Sequence, residues 1–256
     1  MNSETAIHQI ADRLRDSSSV LFITGAGLSA DSGLPTYRGV GGMYEVDNTE
    51  DGLPIEELLS GEMMRNRPEL TWKYLAQIAQ ACQGATFNRG HEVIAAFDTK
   101  IERTWVLTQN VDGFHRAAGS SNVIDIHGDM HELWCTGCSW RTWLEDFDKL
   151  DVPPRCPKCD RIARPYVVLF NELLPFDKVD RLQEELKTRF EVIVAVGTSA
   201  LFPYIAGPVF EASGTETLTV EINPGTTELS SIVDVRLEMP AAKALDAIWN
   251  RYQAAS

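Results

Sequence analysis

The run SVLFIT at 19–24, followed at once by GAGLSA, constrains the fold more than any other feature of the chain. Six apolar or small residues without alternation suit a strand buried on both faces, the kind found in parallel sheets covered by helices. Gly25, Gly27 and Ala30 then satisfy G-x-G-x-x-G/A directly after that strand. In this context the pattern reads as a phosphate-binding turn, because glycines let backbone approach a pyrophosphate and a following helix start offers its amides. Taken alone the match is weak, since plain tight turns satisfy it as well. The acid that usually binds ribose about 20 residues on, at the end of a second strand, is missing.

A parallel strand needs crossovers, and the rest of the chain supplies them. Residues 104–108, 122–126, 191–196 and 216–222 read as further strands. Helical spacing covers 3–16, 54–61, 67–82 and 90–99, and then about 112–118, 177–188, 203–212 and 240–252. Residues 39–53 are rich in glycine and acids and have no period, so they read as a loop. Strands alternating with helices predict an α/β, doubly wound parallel sheet of Rossmann-like type. The interval 130–165 breaks the rhythm with Trp, Cys, Pro and charge. The expected organisation is therefore a nucleotide-binding domain from 1–129 and 165–256, carrying a helical insert at about 54–99 and interrupted by a small module at 130–164.

Four of the five cysteines stand in two pairs, Cys135-x2-Cys138 and Cys156-x2-Cys159, separated by the seventeen residues 139–155. That spacing fits a four-thiolate zinc ribbon. Two disulfides are disfavoured in a reducing compartment, and a redox motif needs only one pair beside a βαβ unit. Four protein ligands leave no open position, so one structural zinc ion is expected and metal-assisted hydrolysis is not. Cys82, in a helical run, reads as a buried small hydrophobe.

A net charge of −14 over 256 residues argues against a nucleic-acid binder, whose footprint is basic, and suits lysine-rich partners. No window is apolar enough for a membrane span. The N-terminal MNSETAIHQIADRLRDSS has no hydrophobic core for a signal peptide, and Glu4, Asp12 and Asp16 fit a transit peptide poorly. The expected location is cytoplasmic, with no membrane or nucleic-acid partner and the oligomeric state open.

The strand ends at 25, 108, 126, 197 and 222 should open onto one crevice, where such sheets bind ligands. TQNVDGFH brings Gln109, Asn110 and Asp112 there, and IDIHGD brings His127. Asn110 and Asp112 could instead cap a helix, and His127 could be a core histidine. VGTSA offers Gly197, Thr198 and Ser199, and VEINPG offers Glu221 and Asn223, side chains that could meet ribose hydroxyls.

With GAGLSADSGLP…RG, TQNVDGFH, the histidine of IHGD, both cysteine pairs, VVLFNE, GTS and EIN in this order, the chain resembles the sirtuins, NAD-dependent protein lysine deacylases, from about residue 20 to 245. The resemblance implies that Gly25, Ala26, Gly27 and Ala30 hold the pyrophosphate. Residues 33–53 would form a cofactor-binding loop with Thr36, Tyr37, Arg38 and Tyr44. Ser29 and Arg38 would serve the phosphate and ribose side, and Asn110 and Asp112 the ribose and nicotinamide. Gln109 would touch the nicotinamide ribose, Thr198 and Ser199 with Gly197 the phosphates, Asn223 the adenosine ribose, and the backbone of Ala241 the adenine. It further implies that the acyl-lysine carbonyl displaces nicotinamide, that His127 is the general base acting through the ribose hydroxyls with Asn110 beside it, and that O-acyl-ADP-ribose is released. The acyl-lysine stem would lie in an apolar tunnel under Val168 and Phe170, its peptide adding as a strand against the interdomain loop.

Three departures stand out. Pro35-Thr36-Tyr37-Arg38 replaces the usual Pro-Asp-Phe-Arg, and Asn171 stands where glycine is usual. Relatives that prefer succinyl or malonyl groups carry Tyr-x-x-Arg, whereas this chain has Tyr74-x-x-Gln77 and no arginine from 68 to 88. Neutral acyl groups such as acetyl are therefore expected. ADP-ribosyl transfer or NAD hydrolysis on the same fold is the alternative activity, and a non-catalytic nucleotide sensor the alternative class. His127, Asn110 and the Val168–Phe170 segment speak against both.

Overall fold

The computed structural model describes residues 2–34, 49–144 and 147–254, so Thr36, Tyr37, Arg38 and Tyr44 lie outside the described residues. The chain opens with helix α1 (Ser3–Arg15), capped by the Asn2 side chain, which accepts from the Thr5 amide at 2.8 Å. Strand β1 (Ser19–Thr24) follows, then one short helix, α2 (Ala26–Ala30). The helical insert comprises α3 (Ile55–Leu58), α4 (Gly61–Asn66) and α5 (Pro68–Ala81). The expected single helix at 54–61 is broken because the Ser60 hydroxyl accepts from the Met63 amide and so caps a new one. Next come α6 (Arg89–Phe97), β2 (Arg103–Thr108), α7 (Phe114–Ala117) and β3 (Val123–Asp125). After β3 the chain forms β4 (Gly128–Cys135), β5 (Arg141–Trp143) and β6 (Ala163–Val167). It finishes with α8 (Phe176–Leu186), β7 (Val192–Val196), α9 (Pro203–Ala212), β8 (Leu218–Ile222), β9 (Val235–Leu237) and α10 (Ala241–Ala254).

Among the described residues, six strands form one parallel sheet in the order β3-β2-β1-β7-β8-β9. The unalternating apolar strands are explained by this sheet. Val20 and Phe22 of β1 pack on one face with α1, α6 and α10, while Leu21 and Ile23 pack on the other with α8 and α9. The order reverses between β1 and β7, and their carboxyl ends form the crevice of a doubly wound sheet. The final strand β9 was not legible beforehand: three residues between a turn and a proline carry too little pattern.

A second, antiparallel sheet has the order β5-β4-β6. It starts directly at the end of β3, with Gly128 as the pivot. This glycine has φ +91°, and a Cβ there would lie 1.8 Å from the Tyr166 carbonyl oxygen. No side chain fits such an approach, so glycine lets β4 and β6 close beside His127. The small sheet shares a third apolar cluster with the helical insert: Trp72, Leu75 and Met64 meet Leu133, Val167 and Leu169. The Trp72 indole donates to the Ala163 carbonyl at 3.0 Å and fixes α5 onto β6.

Candidate functional site

The turn after β1 and the turn after β7 interlock through their backbones. The Gly25 amide donates to Val196 at 3.1 Å, and the Gly27 amide to Gly197 at 2.8 Å. A Cβ on Gly27 would lie 2.7 Å from the Gly197 Cα, and one on Gly25 would lie 2.8 Å from the Gly197 oxygen. Gly197 itself has φ +58°, and its Cβ would strike the Leu28 nitrogen at 2.5 Å. Loop-on-loop contact thus demands glycine at all three positions, independently of any phosphate. Ala26 and Ala30, on α2, are partly exposed beside this junction.

Polar side chains from four segments meet at the junction. Ser29 is buried and donates to Asp112 Oδ2 at 2.6 Å. Asn110 Nδ2 donates to Ser29 Oγ and to the Gly25 carbonyl, each at 3.0 Å. The second oxygen of Asp112 accepts from the Phe114 amide at 3.0 Å, so this acid braces the turn before α7, whose N-cap is Gly113, as well as facing Ser29. Removal from water raises the Asp112 carboxyl, while its bonds to Ser29 and Phe114 resist that shift. Gln109 Nε2 donates to Thr198 Oγ1 at 2.7 Å, tying the end of β2 to the end of β7. Asn223 Nδ2 donates to the Thr198 carbonyl at 3.1 Å, and its oxygen accepts from the Gly225 amide at 3.0 Å. Ser199 is exposed.

One expectation changes here. Glu221 does not face the crevice: it is 1% exposed, accepts from the hydroxyls of Thr227 and Ser230, and pairs with Arg236 at 3.2 Å. Its carboxylate is spent on these three partners, whereas Asn223 lies past the end of β8 and is held toward the β7 turn by Thr198. Ala241 has its side chain in the core at 2% exposure, and the next amide, Ala242, already donates to Asp31 at 2.8 Å.

His127 sits where the parallel sheet hands over to the small one. Its Nδ1 lies 3.1 Å from the Gln109 carbonyl and its Nε2 lies 2.7 Å from the Tyr204 hydroxyl. Burial lowers its pKa, the Gln109 bond opposes this, and the charge of Lys178 adds to the lowering. Tyr204 was not foreseen, because FPYIAG read only as the start of a helix.

Val168 and Phe170 follow β6 and are partly exposed. The Val168 amide donates to the His127 carbonyl at 2.8 Å, the Phe170 amide to Leu59 at 2.9 Å, and the Leu169 amide to Glu172 Oε2 at 2.9 Å. All three amides are therefore taken within the chain, and a peptide strand laid here has no donor from residues 168–170. A part-buried ion pair holds the segment. Arg164, 5% exposed, donates to both oxygens of Glu172 at 2.7 and 2.9 Å and to the Val167 carbonyl at 2.7 Å. Asn171 has φ +62°, the left-handed region that glycine enters freely and asparagine more readily than other residues.

The sulfurs of Cys135, Cys138, Cys156 and Cys159 lie within 4.8 Å of one another. Cys135 and Cys159 are 3.4 Å apart, and Cys138 is 3.6 Å from both Cys156 and Cys159. A disulfide needs about 2.05 Å. Zinc–sulfur bonds of about 2.3 Å in a tetrahedron place sulfurs roughly 3.8 Å apart, close to what is seen. The Gly137 and Lys158 amides point at Cys135 and Cys156 from 3.2 and 3.4 Å, the donor placement that thiolates require. Desolvation raises the Cys135 thiol, but the Gly137 amide and the neighbouring sulfurs outweigh it and push it down to about 6. The four cysteines fit one zinc ion with no open position.

Residues 25–202 match the family described as the Sir2 family. An NAD-dependent protein deacylase 2 of Pseudomonas aeruginosa is 48% identical over 249 residues, covering 96% of each chain. An NAD-dependent protein deacylase 1 of Caldanaerobacter subterraneus subsp. tengcongensis is 35% identical over 234 residues, covering 91% of this chain and 94% of that one. A solved Sir2 homologue–NAD complex superposes with a TM-score of 0.84 at 33% identity, covering 96% of this chain and 94% of the other. A Sir2–p53 peptide–NAD+ complex superposes with a TM-score of 0.81 at 25% identity, covering 97% and 98%. The chain belongs to the Sir2 family.

Proposed function

We propose that this protein is an NAD-dependent protein-lysine deacylase that removes acetyl and other neutral acyl groups, releasing nicotinamide and O-acyl-ADP-ribose. The observation that carries the reading is the meeting of His127, Asn110, Ser29 and Gln109 at the β1–β7 crevice of a Sir2-family chain. The donor set there consists of hydroxyls and carboxamides with one carboxylate, Asp112, which suits sugar hydroxyls and an amide ring. NAD, when bound, supplies an anomeric carbon with a displaceable nicotinamide. Gly25, Ala26, Gly27 and Ala30 would admit the pyrophosphate, Thr198 and Ser199 would meet it with Gly197, and Asn223 would serve the adenosine ribose.

His127 is fitted to hold the proton that the sugar gives up. A carbonyl only accepts, so Nδ1 carries the hydrogen toward Gln109 and Nε2 keeps the lone pair. Asn110, fixed by the Gly25 carbonyl and Ser29, orients what lies beside it, and Asp112 anchors Ser29. Val168 and Phe170 line the apolar approach for an acyl-lysine stem, positioned by the Arg164–Glu172 pair. Protein or peptide acyl-lysines are thus the proposed substrates, and the p53 peptide held by a solved relative supports a peptide partner. A cluster of four thiols suited to zinc fits the reducing, cytoplasmic setting proposed here. No helix among the described residues is long and apolar enough to cross a membrane.

The test is to incubate protein, NAD and an acetyl-lysine peptide and to identify products by mass spectrometry. Free lysine peptide with nicotinamide and O-acetyl-ADP-ribose in equal amounts is the expected result. Nicotinamide with ADP-ribose and an intact acetyl group would establish NAD hydrolysis, a modified peptide would establish ADP-ribosyl transfer, and no product would leave a nucleotide sensor.

A further inference from the structure

The Nε2 atom of His127 is already engaged. Tyr204 Oη lies 2.7 Å away, and with Nδ1–H directed to Gln109 the phenol is the donor and Nε2 the acceptor. An imidazole nitrogen has one lone pair in the ring plane and accepts one strong hydrogen bond. A ribose hydroxyl that delivers its proton to His127 needs the same lone pair. We propose that Tyr204 is a positioning residue whose hydroxyl competes with the sugar hydroxyl for Nε2, holding the imidazole in its reactive tautomer and yielding its place when the dinucleotide binds. This rests on the reading of His127 as the base.

The surroundings support displacement. Tyr204 is the second residue of α9, and its ring stacks on Phe202 with centroids 5.4 Å apart and planes 13° apart. Both rings stand edge-on to the imidazole, at 5.8 Å for Phe202 and 5.9 Å for Tyr204. Phe202 is 42% exposed, so the aromatic pair forms the rim of the crevice with solvent on one side. Among the described residues, His127 is the side chain that Tyr204 Oη bonds, so the phenol gives up one bond when it turns out and regains it from water. The charged group acting on His127 across the crevice is Lys178 of α8, itself held by Asp125 at 3.0 Å. Burial pushes the Tyr204 phenol up to about 12, which keeps it a donor throughout the working range.

Tyr204→Phe keeps the ring stack and deletes the competing hydroxyl. In the zinc-loaded protein, ADP-ribose is expected to bind roughly threefold to tenfold more tightly by calorimetry, with a matching fall in the KM for NAD. The bond from Tyr204 favours neutral imidazole, so its loss raises the His127 pKa. The acid limb of kcat/KM should move up by about half a pH unit. Tyr204→Leu, as the second variant, should tighten ADP-ribose in the same way. Unchanged binding and an unchanged acid limb in both variants would overturn the proposal, and so would a tenfold loss of kcat with constant KM, which would make the phenol a proton relay. The ADP-ribose titration needs no turnover, so it separates this proposal from the reading of His127. That reading fails instead if His127→Ala turns over normally.

Discussion

His127 is held by groups that leave it one tautomer and little reason to be charged. Its Nδ1 faces a carbonyl, its partial burial disfavours the charged ring, and Lys178 repels a second positive charge. A general base works only when neutral, and burial moves the folded pKa below the ordinary 6.5. The acid limb of kcat/KM is therefore expected below pH 6.5, read from rates between pH 5 and 8 at fixed ionic strength. His127→Ala should keep ADP-ribose binding within a few-fold and lose turnover by about 10²-fold or more. Weakened binding with near-normal turnover would make it a cofactor ligand. At the same scale Asn171 has a positive φ, which its departure from glycine did not by itself announce.

Short elements carry much of the chemistry, and two of them invite tests. The cysteine cluster joins β4 to the strand-like turn before β6, with little apolar packing of its own beyond Cys135 and Cys156. Cys135→Ala should lose one equivalent of zinc and expose residues 136–162 to protease, because ligand loss removes several kcal/mol of folding energy. A metal-free variant that stays protease-resistant and active would end the ribbon reading. The second test concerns His91 of α6 and His115 of α7, which are 0% and 2% exposed with rings 5.0 Å apart. His91 Nδ1 accepts from the Asn88 amide and His115 Nε2 lies 2.9 Å from Thr24 Oγ1, and burial drives their pKa values down to about 4 and about 3. Depressed folded pKa values mean that the unfolded chain takes up protons first as pH falls below 6.5. Stability is then lost by about 1.4 kcal/mol per pH unit for each histidine. Urea unfolding at pH 7.5 and 5.5 should show a smaller drop for His115→Gln than for the parent. Equal drops would mean that the histidines titrate alike in both states. Neither histidine could be read as buried from its own segment, since GFHRA and RGHEV look like exposed helix starts.

At the scale of the molecule, repeated patterns were legible and single contacts were not. The doubly wound sheet could be read because each strand is apolar on both faces and each crossover has helical spacing. The cysteine geometry could be read because two fixed spacings leave few ways to arrange four thiols. Gln109, Asn110, Ser29 and Thr198 converge because a parallel sheet brings its carboxyl ends to one edge. Tyr204, Arg164 and the committed amides of 168–170 were hidden, because each depends on a partner from a remote segment. The end of the apolar approach shows the same limit and leads to a sharper expectation for acyl choice. Tyr74 and Phe170 belong to one apolar cluster, and the Tyr74 hydroxyl donates to Asp51 at 2.6 Å. Lys73, the neighbouring cation, is already paired with Glu50 at 2.8 Å and Asp51 at 2.7 Å, and Gln77 faces Glu50 at 3.4 Å. A succinyl carboxylate would therefore meet carboxylates where it needs a cation, and an unpaired buried charge costs several kcal/mol. Acetyl-lysine should exceed succinyl-lysine in kcat/KM by at least about 100-fold, equivalent to about 2.7 kcal/mol. One peptide carrying each group in turn, assayed at saturating NAD, gives the ratio. Asp51→Asn, which removes one negative charge and leaves Lys73 less committed, should narrow it. A ratio near one in the parent protein would mean that Lys73 or another cation turns into the tunnel.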